Sequence, residues 1–242
     1  MFSKGRYIAH EARDTQDVNR AQRLRAEVFG RGAEPDADQF DTDFQHMLVE
    51  DRDSGALVCC YRFLPLSAGD QIGKSYSAQF YGLETLAEFK GPLVEMGRFC
   101  IAPGLRDPDI LRVAWGAMTR YVDQHGIEML FGCSSFSGTD AWRYSDTFAL
   151  LGQRHLAPRH WRPAVKSPEV VPFARMLGRA RPDTREAMKR MPPLLKTYLT
   201  MGGWVSDHAV VDAEMNTLHV FTGVEIAAIP PARQRLLRAV AQ

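Results

Sequence analysis

Residues 93–106, "LVEMGRFCIAPGLR", set an acid, a glycine and an arginine inside a strand-like run that breaks at Pro103–Gly104. Glu95 and Arg98 are out of place in a purely apolar strand, because burying either charge unpaired is costly. A regular strand would point the two side chains to opposite faces. Gly97 lies between them, and a glycine inside a strand often marks a bulge. A bulge returns both charges to one face and leaves backbone N–H groups without ladder partners. Such donors suit the oxyanion that forms when a thioester carbonyl is attacked. The helix expected after Pro103 starts nearby and offers free N–H groups to a phosphate. Together these features point to acyl transfer from a pantetheine thioester. A buried Glu95–Arg98 ion pair in a structural strand explains the same residues without chemistry, and on the strand alone it is the simpler account.

The surrounding elements can be read from periodicity. "TQDVNRAQRLRAEVFGRG" places Val18, Ala21, Leu24, Val28 and Phe29 near helical spacing and stops at glycine. An acidic loop, "EPDADQFDTDFQ", follows, and then a hairpin, "HMLVED" and "ALVCCYRFLP" around "RDSG". "SAQFYGLETLAEF" reads as a short helix before the opening strand. "DPDILRVAWGAMTRYVDQHG" is the clearest helix, with an Asp cap and a glycine stop. A strand "IEMLFGCSSF", a helix "GTDAWRYSDTFALLG", a basic irregular stretch, a proline-opened helix "MPPLLKTYLTMGG", two strands and a terminal helix complete the chain. The order predicts an α/β fold, a mixed sheet with helices on its faces, in a single domain over 1–242, with 150–200 as an irregular basic insertion and helix.

The 242 residues suffice for a substantial core, and 45% hydrophobic with 24% charged residues is ordinary for a globular protein. A net charge of +1 gives no sign of nucleic acid as a partner. Cys59, Cys60, Cys100 and Cys133 lack metal-ligand spacing and read as buried thiols in a reducing compartment. His155 and His160 are not spaced as ligands on a helix face, so no metal is expected. Cys133 next to Ser134 and Ser135 suggests a nucleophile, but direct attack by an amine needs no covalent intermediate, and packing is the simpler role. Neither a signal peptide nor a membrane-length apolar run is visible, which predicts a cytoplasmic protein.

Several motifs recur in order along nearly the whole chain: "RLRAEVFG" (23–30), "DQFD" (38–41), "CYRFLP" (60–65), "EMGRFCIAP" (95–103), "LFGCSSFSGTD" (130–140) and "PPLLKTYLTMGGWVSDHAVVD" followed by "NT" (192–217). In them the chain resembles the GNAT-type N-acyltransferases that use acyl carrier protein, above all the L-ornithine N(α)-acyltransferases of ornithine-lipid synthesis. Acyl-homoserine-lactone synthases share that fold. The resemblance implies a GNAT-like fold: a central mixed, strongly twisted sheet, helices on both faces and a bulged central strand. It also implies transfer of a 3-hydroxyacyl group from acyl carrier protein to the α-amine of L-ornithine, toward a phosphate-free membrane lipid. The donor is itself a substrate, a 4'-phosphopantetheine thioester, and no bound cofactor is implied.

Carried over residue by residue, the resemblance implicates Glu95 and Arg98 as catalytic. Arg25, Phe29, Asp38, Asp41 and Arg62 become substrate-binding candidates, the aspartates for ornithine's side-chain cation and Arg25 or Arg62 for its carboxylate. A solvated acidic loop and ordinary ion pairs are the alternative; the motif match favours function for Asp41, Arg62 and Arg98, and Arg98 paired with Asp38 or Asp41 would organise the site without touching substrate. Phe99, Cys100, Ile101, Arg106 and Arg112 are the candidates for the carrier and its pantetheine. A further basic group, Arg154, Arg159, Arg162 and Lys166, lies around Trp161 and prolines and would suit an acidic carrier or the inner face of an anionic membrane. Two departures bear on the reading. The tryptophan that lactone synthases carry between Phe29 and Asp38 is missing, which makes a signal synthase the runner-up. "LRDPDILR" replaces the glycine-rich loop of acetyl-CoA users, which fits a carrier's single phosphodiester better than free CoA. A non-catalytic module that binds carrier protein or lipid is the alternative outside enzymes.

Overall fold

The computed structural model describes residues 1–30 and 32–241. The chain divides into two compact units. Met1–Pro65, Met96–Ile127 and the C-terminal helix form the first; Leu66–Glu95 and Glu128–Pro230 form the second.

The first unit opens with β1 (Phe2–Lys4) and β2 (Tyr7–Glu11), followed by α1 (Thr15–Phe29), β3 (Gln45–Asp51) and β4 (Leu57–Leu66). These four strands pair antiparallel in sequence order. The N-terminal hairpin is an addition to the sequence reading. The Asp14 side chain caps α1, and Gly30 ends it in the left-handed region at φ 69°. The helix buries Asp17, Ala21, Leu24 and Arg25, positions that fall on one face at 3.6 residues per turn. That face packs on Cys60 and Cys100. On β4, Tyr61 and Phe63 alternate to the other face, where they meet the long helix described next: the Tyr61 hydroxyl donates to the Ala114 carbonyl at 3.2 Å, and Phe63 meets Tyr121 edge-on. Helices therefore cover both faces of this sheet.

The chain then enters the second unit through three short 3-10 turns and the two-residue β5 (Tyr81–Gly82). The expected helix over "SAQFYGLETLAEF" is not formed; the turns Ser77–Gln79 and Leu86–Glu88 flank β5 instead. β6 (Leu93–Ile101) contributes its first three residues to the second unit and the remainder to the first, where it lies beside β4 and leads to α2 (Pro108–His125). The distortion expected at Gly97 falls one residue later. Arg98 adopts φ 53°, the left-handed region that L-residues avoid, while Gly97 does not.

From β7 (Met129–Ser137) onward the second unit continues through α3 (Ser145–Arg154), β8 (Ala164–Val165), β9 (Val170–Val171), α4 (Phe173–Leu177), α5 (Thr184–Arg190) and α6 (Pro193–Thr200). It closes with β10 (Trp204–Val205), β11 (Ala209–Asp212) and β12 (Thr217–Glu225). The single strand expected over "WVSDHAVVD" is two, interrupted where the Ser206 hydroxyl donates to the His208 carbonyl at 2.7 Å. β6 pairs parallel with β7 from Leu93↔Met129 to Glu95↔Phe131, and β7 pairs antiparallel with all of β12, so the sheet is mixed. Phe136, Phe148, Phe173, Leu195 and Leu218 anchor its core. The final helix, α7 (Pro231–Ala241), belongs to the first unit and packs on α2, with Arg238 reaching Asp123 at 3.2 Å.

Candidate active site

Three arginines and three aspartates converge in the first unit. Arg25 comes from the buried face of α1, and Arg62 lies two residues beyond Cys60 on the same face of β4. Arg98 comes from the left-handed position of β6. The loop after α1 supplies Asp36, Asp38 and Asp41, and the 3-10 turn Gln39–Thr42 closes with a capping box between Asp38 and Asp41. Arg25 grips Asp41 with both Nη atoms at 2.8 and 2.7 Å, and its Nε faces Asp36 at 3.0 Å. Arg62 reaches Asp38 at 2.5 and 2.8 Å and Asp41 at 2.6 Å. Arg98 reaches Asp38 at 3.1 Å and Asp36 at 3.3 Å. Asp36 is not singled out in the sequence, because the loop carries five acids, Glu34, Asp36, Asp38, Asp41 and Asp43, and nothing local ranks them.

The network is largely dry. Arg25 and Arg62 are each 1% exposed, whereas the side chain of Asp38 is 23% exposed and that of Arg98 12%. Burial by itself would raise the carboxyl of Asp41, but hydrogen bonds and charge from Arg25 and Arg62 outweigh it and hold Asp41 far below the usual carboxylate range. Asp38 is lowered by the same balance, with Arg62 and Arg98 opposing burial. Burial pushes His46 down, even though its ring bonds the Asp41 carbonyl at 3.0 Å. Phe29 lies 5.9 Å from the Arg98 guanidinium, and Phe44 lies 4.9 Å from that of Arg62.

This geometry narrows the expected substrate set. Oδ1 of Asp41 accepts from Arg25 and Arg62, and Oδ2 accepts from Arg25, Gln22 and the Asp38 amide. Asp38 is as fully bonded, by Arg62 twice, Arg98 and the Phe40 amide, so burial and not bond count makes Asp41 an organiser rather than a ligand for a cation. Arg25 is enclosed in the same way. The exposed edge of the network is Asp38 with Arg98.

Glu95 is 1% exposed and belongs to the second unit, where its oxygens accept three hydrogen bonds. The donors are the Tyr76 amide at 2.7 Å, the Ser77 amide at 2.7 Å and the Ser77 hydroxyl at 2.5 Å. Ser77 Oγ also lies 3.4 Å from Cys133 Sγ. Sequence alone does not mark Tyr76 or Ser77: they stand at the start of the expected helix, where free amides are ordinary and nothing local names the carboxylate they bond. A buried pair lies in the same unit: the Tyr81 hydroxyl meets His219 Nδ1 at 3.1 Å and donates to the His219 carbonyl at 2.8 Å. Burial, with the nearby Cys133, pushes the Tyr81 phenol well up, and burial pulls His219 down to about 4.

The carrier candidates separate. Cys100 is 3% exposed and packs with Cys60, Ala21 and Leu24, so its thiol faces the core and not a ligand. Phe99 stacks on Tyr61 at 5.4 Å, and Ile101 is half-buried. Arg106 is exposed; Arg112 is tied to Asp109 at 2.6 Å. The start of α2 is less open to phosphate than expected. Asp107 accepts from the Asp109 amide at 2.9 Å and from the Tyr7 hydroxyl at 2.9 Å, so two acids already stand there. In the second group Arg154 and Arg159 are exposed, Arg162 bonds the Ala157 carbonyl at 3.0 Å and Lys166 bonds the Ala78 carbonyl at 2.5 Å. Among the described residues no cluster of three or more His, Cys, Asp or Glu could hold a metal ion, and no helix is long and apolar enough to cross a membrane.

Residues 20–116, which include both arginine-bearing strands, match the acetyltransferase (GNAT) domain model. Over 241 residues the chain is 35% identical to an L-ornithine N(alpha)-acyltransferase of Rhodobacter capsulatus, covering 92% of this chain and 91% of that protein. The chain belongs to the L-ornithine N(alpha)-acyltransferase family. It is thus an N-acyltransferase of GNAT-like fold. Two solved structures share that fold across nearly the whole chain. TofI in an apo form aligns with a TM-score of 0.53 at 16% identity, covering 97% of this chain and 98% of its own. FeeM, an N-acyl amino acid synthase from uncultured soil microbes, aligns at 0.52 with 11% identity, covering 98% and 97%.

Proposed function

We propose that the protein moves a 3-hydroxyacyl group from the pantetheine thioester of acyl carrier protein to the α-amine of L-ornithine, in the cytoplasm and at the inner face of the membrane that receives the product. The observation that carries this reading is the kinship along nine-tenths of both chains with an L-ornithine N(alpha)-acyltransferase. The amine lone pair forms the C–N bond, the carbonyl π pair moves to oxygen, and collapse expels the thiolate, which takes up a proton. Amides around the left-handed Arg98 are the proposed oxyanion donors. The exposed edge of Asp38 receives ornithine's side-chain ammonium, Arg98 its carboxylate, and Phe29 packs over the aliphatic stem. Arg25, Arg62 and Asp41 hold that edge in place.

Glu95 is the proposed acceptor of the amine proton, directly or through a water. Its three donors fix the carboxylate while a proton is in transit. Phe99, Ile101 and Arg106 receive the carrier's pantetheine arm.

The test is purified protein with 3-hydroxyacyl carrier protein and a panel of amino acids, read as release of carrier thiol and as product mass. Ornithine-dependent thiol release and an N-acylated ornithine are expected. Release with a different amino acid would reassign the acceptor, and release with none would leave only a binding role. Glu95→Gln is expected to lower kcat by at least ~100-fold, the usual size of a lost general base.

A further inference from the structure

The second unit carries a surface that the transfer reaction does not use. α4 and α5 both pack on α3, and each buries a single side chain there, Phe173 and Ala187. The segment 173–190 holds six cations, Arg175, Arg179, Arg181, Arg185, Lys189 and Arg190, against Asp183 and Glu186. Its net charge is therefore +4, although the whole chain carries only +1. All six cations are exposed. Lys189 and Arg190 lean on Glu186 at 3.6 Å, while Arg175, Arg179, Arg181 and Arg185 have no ion pair among the described residues.

Apolar side chains stand among these charges. Met176 on α4 is 51% exposed, and Met188 on α5 is 41% exposed. Trp142, in the turn that leads into α3, is 70% exposed, and its neighbour Arg143 accepts a hydrogen bond from Arg190 at 2.8 Å through its carbonyl. The stretch expected from sequence to touch a membrane, around Trp161, is less suited. Trp161 packs edge-on against Phe89 at 5.3 Å and is half-buried.

We propose that Trp142, Met176, Met188 and the cations of α4 and α5 form a docking surface for an anionic lipid bilayer. An indole and two thioethers can enter the headgroup region while surrounding arginines bind lipid phosphates, the arrangement that holds amphipathic elements at a membrane surface. The positive charge is complementary to an anionic leaflet. A net charge of +4 over residues 173–190, with every cation exposed, suits a continuous anionic surface, and the apolar side chains among the cations can enter its headgroup layer. This inference rests on the proposed function only in that a lipid product gives the enzyme a reason to dock.

The experiment is co-sedimentation of the full chain with vesicles of phosphatidylcholine containing 30% phosphatidylglycerol, compared with phosphatidylcholine alone. Binding to the first, its loss at high salt and weak binding to the second are expected. Arg175→Glu, Arg179→Glu, Arg181→Glu and Arg185→Glu combined should weaken binding at least ~100-fold, since each cation near an anionic surface contributes about fivefold. Trp142→Ala should weaken it several-fold. Circular dichroism and lipid-free thiol release should match the parent in both variants, because neither touches Glu95 or the arginine–aspartate network. Equal vesicle binding by parent and charge-reversed chain, or none by the parent, overturns the proposal. So does a raised KM for carrier protein in lipid-free assays with vesicle binding intact, which would assign the surface to the carrier.

Discussion

The molecule neutralises buried charge in two ways. In the first unit, Arg25, Arg62 and Arg98 are balanced by Asp36, Asp38 and Asp41, ion against ion. In the second, Glu95 is balanced by two amides and a hydroxyl, ion against dipole. Ion pairs hold the loop 36–41 to one helix and two strands at once, and burial closes Asp41 to a ligand. Dipoles spread their stabilisation of Glu95 over one short turn. Under the proposed function the contrast is a division of labour, with the ion-paired cluster shaping the acceptor site and Glu95 taking the proton.

The sharpest way to break the comparison is to remove the shared partner in the first cluster. Asp41→Ala leaves Arg25 and Arg62 buried without their common carboxylate, and truncating one side of such a pair costs about 3–5 kcal/mol. Urea unfolding should show a loss of that size. A loss under about 1 kcal/mol would mean that the network is decoration on a loop held by other contacts.

Acid separates the two regions next. The folded-state values of Asp38 and Asp41 lie below the ordinary 3.8, so their stabilisation is complete above that pH and is lost only as pH falls below it. His219 titrates earlier. Its ordinary value is 6.5 and its folded value about 4, so from 6.5 down to 4 the unfolded chain binds a proton that the folded chain refuses. Stability present above pH 6.5 should therefore fall by roughly 3 kcal/mol across that window, at about 1.4 kcal/mol per pH unit. His46 and His155 are lowered by burial and add to the same slope. In His219→Gln the slope of unfolding free energy against pH between 6.5 and 4 should shrink by about one proton, with His46 and His155 and, at the acid end, Glu50 contributing to what remains.

How much of this could be read from sequence follows from how local each feature is. α1, α2 and the β3–β4 hairpin were legible because spacing, caps and turn residues lie within each segment, as with Asp14 and Gly30 around α1. The charged residues of the site were legible as a set, since charges in apolar runs demand partners. Who partners whom was not. Nothing within "SAQFYGLETLAEF" says that the amides of Ser77 and its neighbour Tyr76 will bond a carboxylate 18 and 19 positions away. The Tyr81–His219 contact spans 138 positions and has no local signature.

A smaller effect tests the dipole side. Ser77→Ala removes the hydroxyl from Glu95 but leaves both amides. A hydrogen bond to a charged group contributes about 1.5–3 kcal/mol, and the retained amides should keep the loss near the lower figure. As a positioning residue, Ser77 should also affect kcat more than KM. A change in KM alone would detach Ser77 from the proton-accepting role proposed for Glu95.

The smallest expected effect concerns the strand that both clusters share. If Gly97 were the hinge of β6, a side chain there would strain the backbone. Its φ lies outside the left-handed region, and a methyl group on its Cα would meet nothing within 4 Å. Arg98 takes the left-handed conformation instead, which costs of order 1–3 kcal/mol and is offset by its ion pairs with Asp36 and Asp38. Gly97→Ala should therefore leave stability unchanged or raise it by up to about 1 kcal/mol, because the unfolded chain loses freedom that the folded strand never used. Activity should remain near that of the parent. A clear loss of stability in Gly97→Ala would move the hinge back to the glycine, and the two aspartates would no longer account for an arginine in a conformation that L-residues avoid.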